Sequence, residues 1–202
     1  VASVKGDSFT RSFETICRSE FSANLRFALA QKNTLGVQNS YREPEKMGVD
    51  RWCAIAAAVN TNRQSAPNAG LIAVIDAGSA LTIDFVMDDG EVGEHLGGFI
   101  VPGFAMQMNA LLGGTQRITI DTPRNRLTTN LGRDTDGAVT SGILAGMVSI
   151  IDASIHRQQQ ICEREATAYL TGGDAELLQP FLTTPVLYRS ELVLDGIGLV
   201  LP

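Results

Sequence analysis

Leu71-Ile72-Ala73-Val74-Ile75 is an unbroken apolar run that stops abruptly at Asp76-Ala77-Gly78-Ser79. A run this short with no polar residue in it suits a buried strand. Leu81, Ile83 and Phe85 then alternate with Thr82, Asp84 and Val86, which is the period of a second strand. Asp88-Asp89-Gly90 signals a hairpin turn, and residues 91–101 return as a third strand that Pro102-Gly103 breaks. Helices are expected at Phe104–Leu112, closed by Gly113-Gly114, and at Thr135–His156, where Val139, Ile143, Met147, Ile150 and Ile151 recur at helical spacing. Residues 115–134 read as irregular. A strand at Ala168–Leu170, a helix at Ala175–Leu182 and strand-like pieces at Pro185–Leu187 and Leu192–Leu194 complete the series. That order predicts an α/β fold with a mixed sheet and helices on its faces.

Ahead of this block, residues 1–4 read as the end of a strand and Leu25–Leu29 as a short one. Phe9, Phe13, Ile16 and Cys17 predict a helix between them, with Asp7 or Ser8 as its cap. Pro44 suits the first turn of a helix, and Asp50 is placed to cap another over Arg51–Val59. The polar stretch 60–69 is the best linker, so the expected division is 1–64 and 65–202.

Composition narrows the function classes. With 44% hydrophobic residues the chain can bury a core, and a net charge of −6 argues against a nucleic-acid or anionic-membrane partner. Cys17, Cys53 and Cys162 are too scattered for a disulfide framework or a zinc site, which fits a reducing, cytoplasmic setting. No apolar run reaches the 18 residues that a membrane span needs. His95 and His156 lack metal-ligand spacing and read as surface or core polar residues.

Four segments carry groups able to do chemistry. In Asp76-Ala77-Gly78-Ser79 a strand delivers a carboxylate to a glycine turn, whose amides can bind phosphate while the carboxylate holds a cation. The same residues also suit a plain hairpin. Gly172-Gly173-Asp174 can let a nucleotide approach the backbone ahead of a helix, or serve as a simple turn and cap. Tyr41 to Trp52 sets Asp50 at a helix start beside Arg51, a pairing able to bind a carboxylate or phosphate and to accept a proton. Taken alone, that segment is better explained as a helix cap with a surface arginine. Gly97-Gly98-Phe99-Ile100-Val101-Pro102-Gly103 can shape a pocket wall or let a strand pass a helix closely.

Taken together, these segments resemble the type III pantothenate kinases, members of the actin/hexokinase/Hsp70-like (ASKHA) phosphotransferases. The matching motifs are Tyr41-x-x-Pro44-x-x-x-Gly48-x-Asp50-Arg51-Trp52, Asp76-x-Gly78-Ser79-Ala80-x-Thr82-x-Asp84, Gly97-Gly98-x-Ile100-x-Pro102-Gly103, Thr135 with Gly142, and Thr171-Gly172-Gly173-Asp174-Ala175. They stand in the family's order along nearly the whole chain.

The resemblance implies RNase H-like domains, the first of them incomplete in 1–64 and the second formed by 65–202, with the site between them. It implies ATP-dependent phosphorylation of pantothenate, the entry to coenzyme A biosynthesis, by a cytoplasmic homodimer. Asp50 would be the catalytic base. Tyr41, Gly48, Val49, Arg51 and Thr135 would surround pantothenate. Gly78, Ser79, Gly172 and Gly173 would meet the nucleotide with its magnesium, and Asp76 would hold potassium or ammonium. Ser79 replaces the family's usual threonine and keeps the hydroxyl. An accessory homologue without turnover, of the Bvg accessory factor type, and another small-molecule kinase of the superfamily are the alternatives.

One departure stands out. The family opens with a strand carrying an Asp-x-Gly-Asn-Thr phosphate loop, and this sequence has none. A chain that begins at Val1 is therefore expected to be a fragment that starts near the end of its first domain. The alternative is a protein that does not bind ATP as its relatives do. If these residues were all of it, no pantothenate phosphorylation and only weak ATP binding would be expected.

Overall fold

The computed structural model describes residues 1–2, 7–65, 70–114 and 126–201. In chain order the helices are α1 (Asp7–Phe21), α2 (Val49–Ser65), α3 (Phe104–Gly114), α4 (Thr135–Cys162), α5 (Ala175–Leu178) and α6 (Leu192–Val200). The strands are β1 (Asn33–Thr34), β2 (Val37–Gln38), β3 (Gly70–Ala77), β4 (Ala80–Asp88), β5 (Gly93–Pro102), β6 (Ala166–Thr171) and β7 (Val186–Tyr188). They form a seven-stranded sheet in the order β1-β2-β5-β4-β3-β6-β7. The sheet mixes an antiparallel β1–β2 pair with parallel β2–β5, β3–β6 and β6–β7 pairs. This is the expected α/β class with a mixed sheet.

The chain divides into two compact units, neither made from one continuous segment. Unit 1 comprises 1–69, 86–97 and 191–202; unit 2 comprises 70–85 and 98–190. Residues 86–97 and 191–202 thus fall in unit 1, whereas local sequence pattern places a single boundary near residue 64.

Unit 1 is built on α2. This helix has no polar face: Trp52, Cys53, Ala54, Ile55, Ala56, Ala57, Ala58 and Val59 are all buried, and an apolar surface all round requires cover all round. Part of that cover is α6, whose Leu192, Gly196 and Val200 recur at four-residue spacing on its buried side. A Cβ on Gly196 would overlap the backbone carbonyl of Cys53, so glycine sets how closely the two helices pack. The expected strand at Leu192–Leu194 is therefore wrong. The helical stripe includes a glycine, and Leu-Val-Leu taken alone reads as β.

The hairpin of β1 and β2 turns through Leu35 and Gly36, both at positive φ, as a two-residue hairpin turn requires. Arg63 donates to the carbonyl of Leu35 at 2.6 Å, and its Nε sits 3.1 Å from both oxygens of the buried Asp88. The strand expected at Leu25–Leu29 is absent, since 22–31 carry no regular structure. Asp50 lies inside the first turn of α2, because the helix begins one residue before it at Val49. The reading of 60–69 as linker is corrected too: α2 continues to Ser65, while 66–69 lie outside the described residues. Of the strand expected at 1–4, only Val1 and Ala2 are described, and they are not strand.

Unit 2 centres on β3, where Leu71 to Ile75 are all buried, as an apolar run demands. It pairs in parallel with β6, from Leu71 opposite Ala166 to Asp76 opposite Thr171. The long helix α4 packs against α3 and β3. It starts at Thr135, as expected, and runs six residues past His156 before Glu163 closes it in the left-handed conformation. By length and composition α4 alone, among the described residues, qualifies as a membrane span, although half of its most apolar window is buried in the protein. The expected helix 175–182 is a single turn of α5 followed by a 3-10 turn over Gln179–Phe181, where Pro180 ends the α-helical bonding. Of the irregular stretch 115–134, residues 115–125 lie outside those described.

Candidate active site

In unit 1 the chain enters α2 through a 3-10 turn at Pro44–Lys46, which sets Gly48 directly before the helix. The Asp50 carboxylate folds back over that entry, and its Oδ1 accepts from the Arg51 backbone N–H at 2.9 Å. A Cβ on Gly48 would come within 2.6 Å of the same oxygen, so glycine leaves the space that the carboxylate occupies. Asp50 thus stands in the first turn of α2, at the positive end of the helix dipole.

Arg51 is only 5% exposed, and its Nη1 donates to the Tyr41 hydroxyl at 2.8 Å. The backbone N–H of Tyr41 is held by Asn39 Oδ1 at 3.0 Å. Val49 is buried at the start of the helix. The structure therefore brings Tyr41, Gly48, Val49, Asp50 and Arg51 together. One turn further on, burial and then the Asp50 carboxylate push the Cys53 thiol up to about 11. Cys53 stays protonated at neutral pH and is no nucleophile.

In unit 2 the parallel strands β3 and β6 end side by side, and the loops that follow them converge. Gly78 N–H donates to the Ala80 carbonyl at 3.0 Å, closing the turn that exposes Ser79. Gly103 N–H donates to the Ser79 carbonyl at 3.0 Å, and the Asp174 N–H to the Ala77 carbonyl at 2.8 Å. Gly172 has φ of +96°, and a Cβ there would sit 2.5 Å from Asp76 Oδ1 and overlap the Ala77 carbonyl. Position 172 therefore requires glycine on two counts. Gly173 is exposed, with nothing within 4 Å of where its Cβ would be. Asp174 precedes α5 but makes no side-chain cap bond.

Asp76, Gly78, Ser79, Gly172 and Gly173 are thus neighbours in unit 2. The Asp76 carboxylate and the Ala77 carbonyl both lie against the Gly172 backbone, two hard oxygen donors side by side. Among the described residues no group of three or more His, Cys, Asp or Glu could hold a metal ion.

Thr135 lies on a different element of unit 2. It opens α4 after Asp134, whose carboxylate caps the helix by accepting from Gly137 N–H at 2.7 Å. It lines an open cleft of about 760 Å³ with Gln107, Leu111, Arg133 and Val139.

Sequence reasoning passes over Ser40 and reduces His95 to a polar residue of core or surface. His95 is fully buried, with Nδ1 3.0 Å from Ser40 Oγ. It also overlooks the fit of Gly98 to Asp84: a Cβ there would overlap the buried carboxylate. The Asp84 and Gly97-Gly98 motifs carry that signal only jointly.

Residues 1–157 match the family model for type III pantothenate kinase. The chain is 32% identical over 200 residues to the type III pantothenate kinase of Nitrosococcus oceani, covering 99% of this chain and 73% of that one. It is 34% identical over 197 residues to that of Alcanivorax borkumensis, covering 98% and 76%. A crystal structure of a conserved Baf-family protein from Campylobacter jejuni superposes with a TM-score of 0.50 at 24% identity, over 79% of this chain and 64% of that one, and shares the fold. With a family match over most of its length and relatives above 30% identity along nearly all of it, this chain belongs to the type III pantothenate kinase family of enzymes.

Proposed function

We propose that the protein transfers the γ-phosphoryl group of ATP to the primary hydroxyl of pantothenate, giving 4'-phosphopantothenate and ADP in the first step of coenzyme A biosynthesis. The observation that carries this reading is the Asp50–Arg51–Tyr41 group at the start of α2, in a chain of this family. Asp50 takes the hydroxyl proton as the new O–P bond forms and the bond from the γ-phosphorus to the β,γ-bridging oxygen breaks, with that electron pair leaving on ADP. Such a transfer needs positioning and charge stabilisation more than covalent help, so one oriented carboxylate suffices.

Arg51 and Tyr41 bind the polar end of pantothenate, Gly48 and Val49 shape its pocket, and Thr135 supplies a further contact. Gly78, Ser79, Gly172 and Gly173 receive the nucleotide. Asp76 would hold potassium or ammonium, and that cation together with nucleotide-bound magnesium would supply charge to offset the phosphates. The domain assignment goes with this reading: 1–64 belong to a first RNase H-like domain and 65–202 form the second. The enzyme works in the cytoplasm as a homodimer. Its net charge of −6 supports a small-molecule role with no nucleic-acid or membrane partner.

The test is ADP release and product mass with the full-length protein, ATP and pantothenate. Turnover is expected, and Asp50→Asn should lower it by about 10²–10⁴ while pantothenate still binds. Near-normal turnover in the variant would move the base elsewhere. A folded wild type without turnover on pantothenate would overturn the kinase assignment and favour an accessory role.

A further inference from the structure

The buried histidine beneath the Tyr41–Arg51 pair has no part in the reaction as described. Its ring lies at 27° to that of Tyr41 with centroids 6.3 Å apart, and edge-on to Trp52 at 6.5 Å and 71°. Its Nδ1 is hydrogen-bonded to Ser40, the residue directly before Tyr41. Tyr41 in turn accepts from Arg51 Nη1, and Trp52 follows Arg51 on α2. Both neighbours of His95 thus adjoin the guanidinium-bearing residue, one through a hydrogen bond and one through the chain.

We propose that His95 is a positioning residue for substrate binding: through Ser40 and the Tyr41 ring it fixes the phenol that orients Arg51. This rests on the reading of Arg51 as a pantothenate-binding residue. The physical case is one of geometry. A guanidinium binds a carboxylate or hydroxyl well only when its planar fork is held in place, and the Tyr41 hydroxyl is one group that holds it here. The ring bearing that oxygen sits near an exposed serine at one end and stacks on a fully buried ring at its face. An ordinary core residue would need only to fill space. His95 also makes a polar contact to the Ser40 side chain, directly before Tyr41, whose backbone N–H Asn39 holds.

The variants His95→Phe and Ser40→Ala separate these roles. The first keeps an aromatic ring and loses the bond to Ser40. The second loses the same bond at an exposed position, where folding is spared. Both should raise the KM and Kd for pantothenate roughly 3- to 10-fold, the worth of one net hydrogen bond, and leave the KM for ATP unchanged. Adding Tyr41→Phe to either should bring less than the product of the separate losses, because all act through one guanidinium. Trp52 is the only tryptophan, so its emission reports pantothenate binding directly and should need more ligand for half-change in both variants.

Unchanged pantothenate Kd in Ser40→Ala and His95→Phe, with wild type binding normally, would make His95 a core residue only and overturn the proposal. A lowered unfolding midpoint with no change in Kd would overturn it equally. Failure of wild type itself to bind pantothenate would overturn the parent reading, and the role of His95 with it.

Discussion

A carboxylate at the end of a buried parallel strand can hold a cation only if its neighbours leave it room. At Asp76 the Gly172 backbone passes so close that a Cβ there would lie 2.5 Å from Oδ1, while a Cβ on Gly78 would be 3.5 Å away. The site is legible in sequence because an apolar strand that ends in Asp-x-Gly-Ser advertises its own terminus. The Tyr41–Arg51 bond is not, because ten residues and a 3-10 turn separate its partners and no spacing rule joins them. Turnover of the full-length enzyme should be faster in potassium or ammonium than in sodium, and Asp76→Ala should remove that preference. Potassium should also raise the melting temperature of wild type and not of the variant, since a ligand that binds only the folded state stabilises it. Equal rates and equal melting in both salts would reject Asp76 as the ligand.

Strands are easier to read than helices where burial is two-sided. Both β3 and β4 stand where apolar continuity and alternation place them, whereas α6 is concealed by a glycine in its buried stripe. That glycine sets the expectation for the helix pair. Replacing Gly196→Val drives a branched side chain into the Cys53 backbone and should cost about 1–3 kcal/mol, the usual cost of overpacking. Urea unfolding measures it, and an unchanged midpoint would mean that α6 does not dock through Gly196.

A second expectation concerns α4 and the loop after α5. Asp152 accepts from Thr183 N–H and Oγ1 at 3.0 and 2.7 Å, and from Thr184 N–H at 3.0 Å. Burial alone would raise its pKa, but these hydrogen bonds outweigh burial and hold it below the ordinary 3.8. A depressed carboxylate stabilises the fold above 3.8 and loses that contribution as pH falls through its lower folded value. Asp152→Asn should therefore be less stable than wild type at pH 7, with the gap closing toward pH 2 in parallel urea titrations. A gap independent of pH would mean that the carboxylate charge is not what fastens the loop.

At the scale of the molecule, the division into units is the least legible feature. Residue 196 packs on residue 53 across most of the chain, and 86–97 belong with the first 69 residues through the pairing of β5 with β2. Local pattern carries no trace of such returns. It also leaves open what covers an apolar surface. In unit 2, Phe99, Ile100, Met106 and Leu111 are 45%, 59%, 50% and 42% exposed on β5 and α3, and α4 is only half buried along its most apolar stretch. Exposed large side chains this close in sequence mark an association surface better than a solvated one. If that surface joins two copies, light scattering at micromolar concentration should give twice the chain mass. Ile100→Asp would put a charge at the most exposed of the four and should shift the protein toward monomer without lowering its helix content by circular dichroism. A monomer mass for wild type would reject the homodimer. A dimer untouched by Ile100→Asp would move its interface away from β5 and α3.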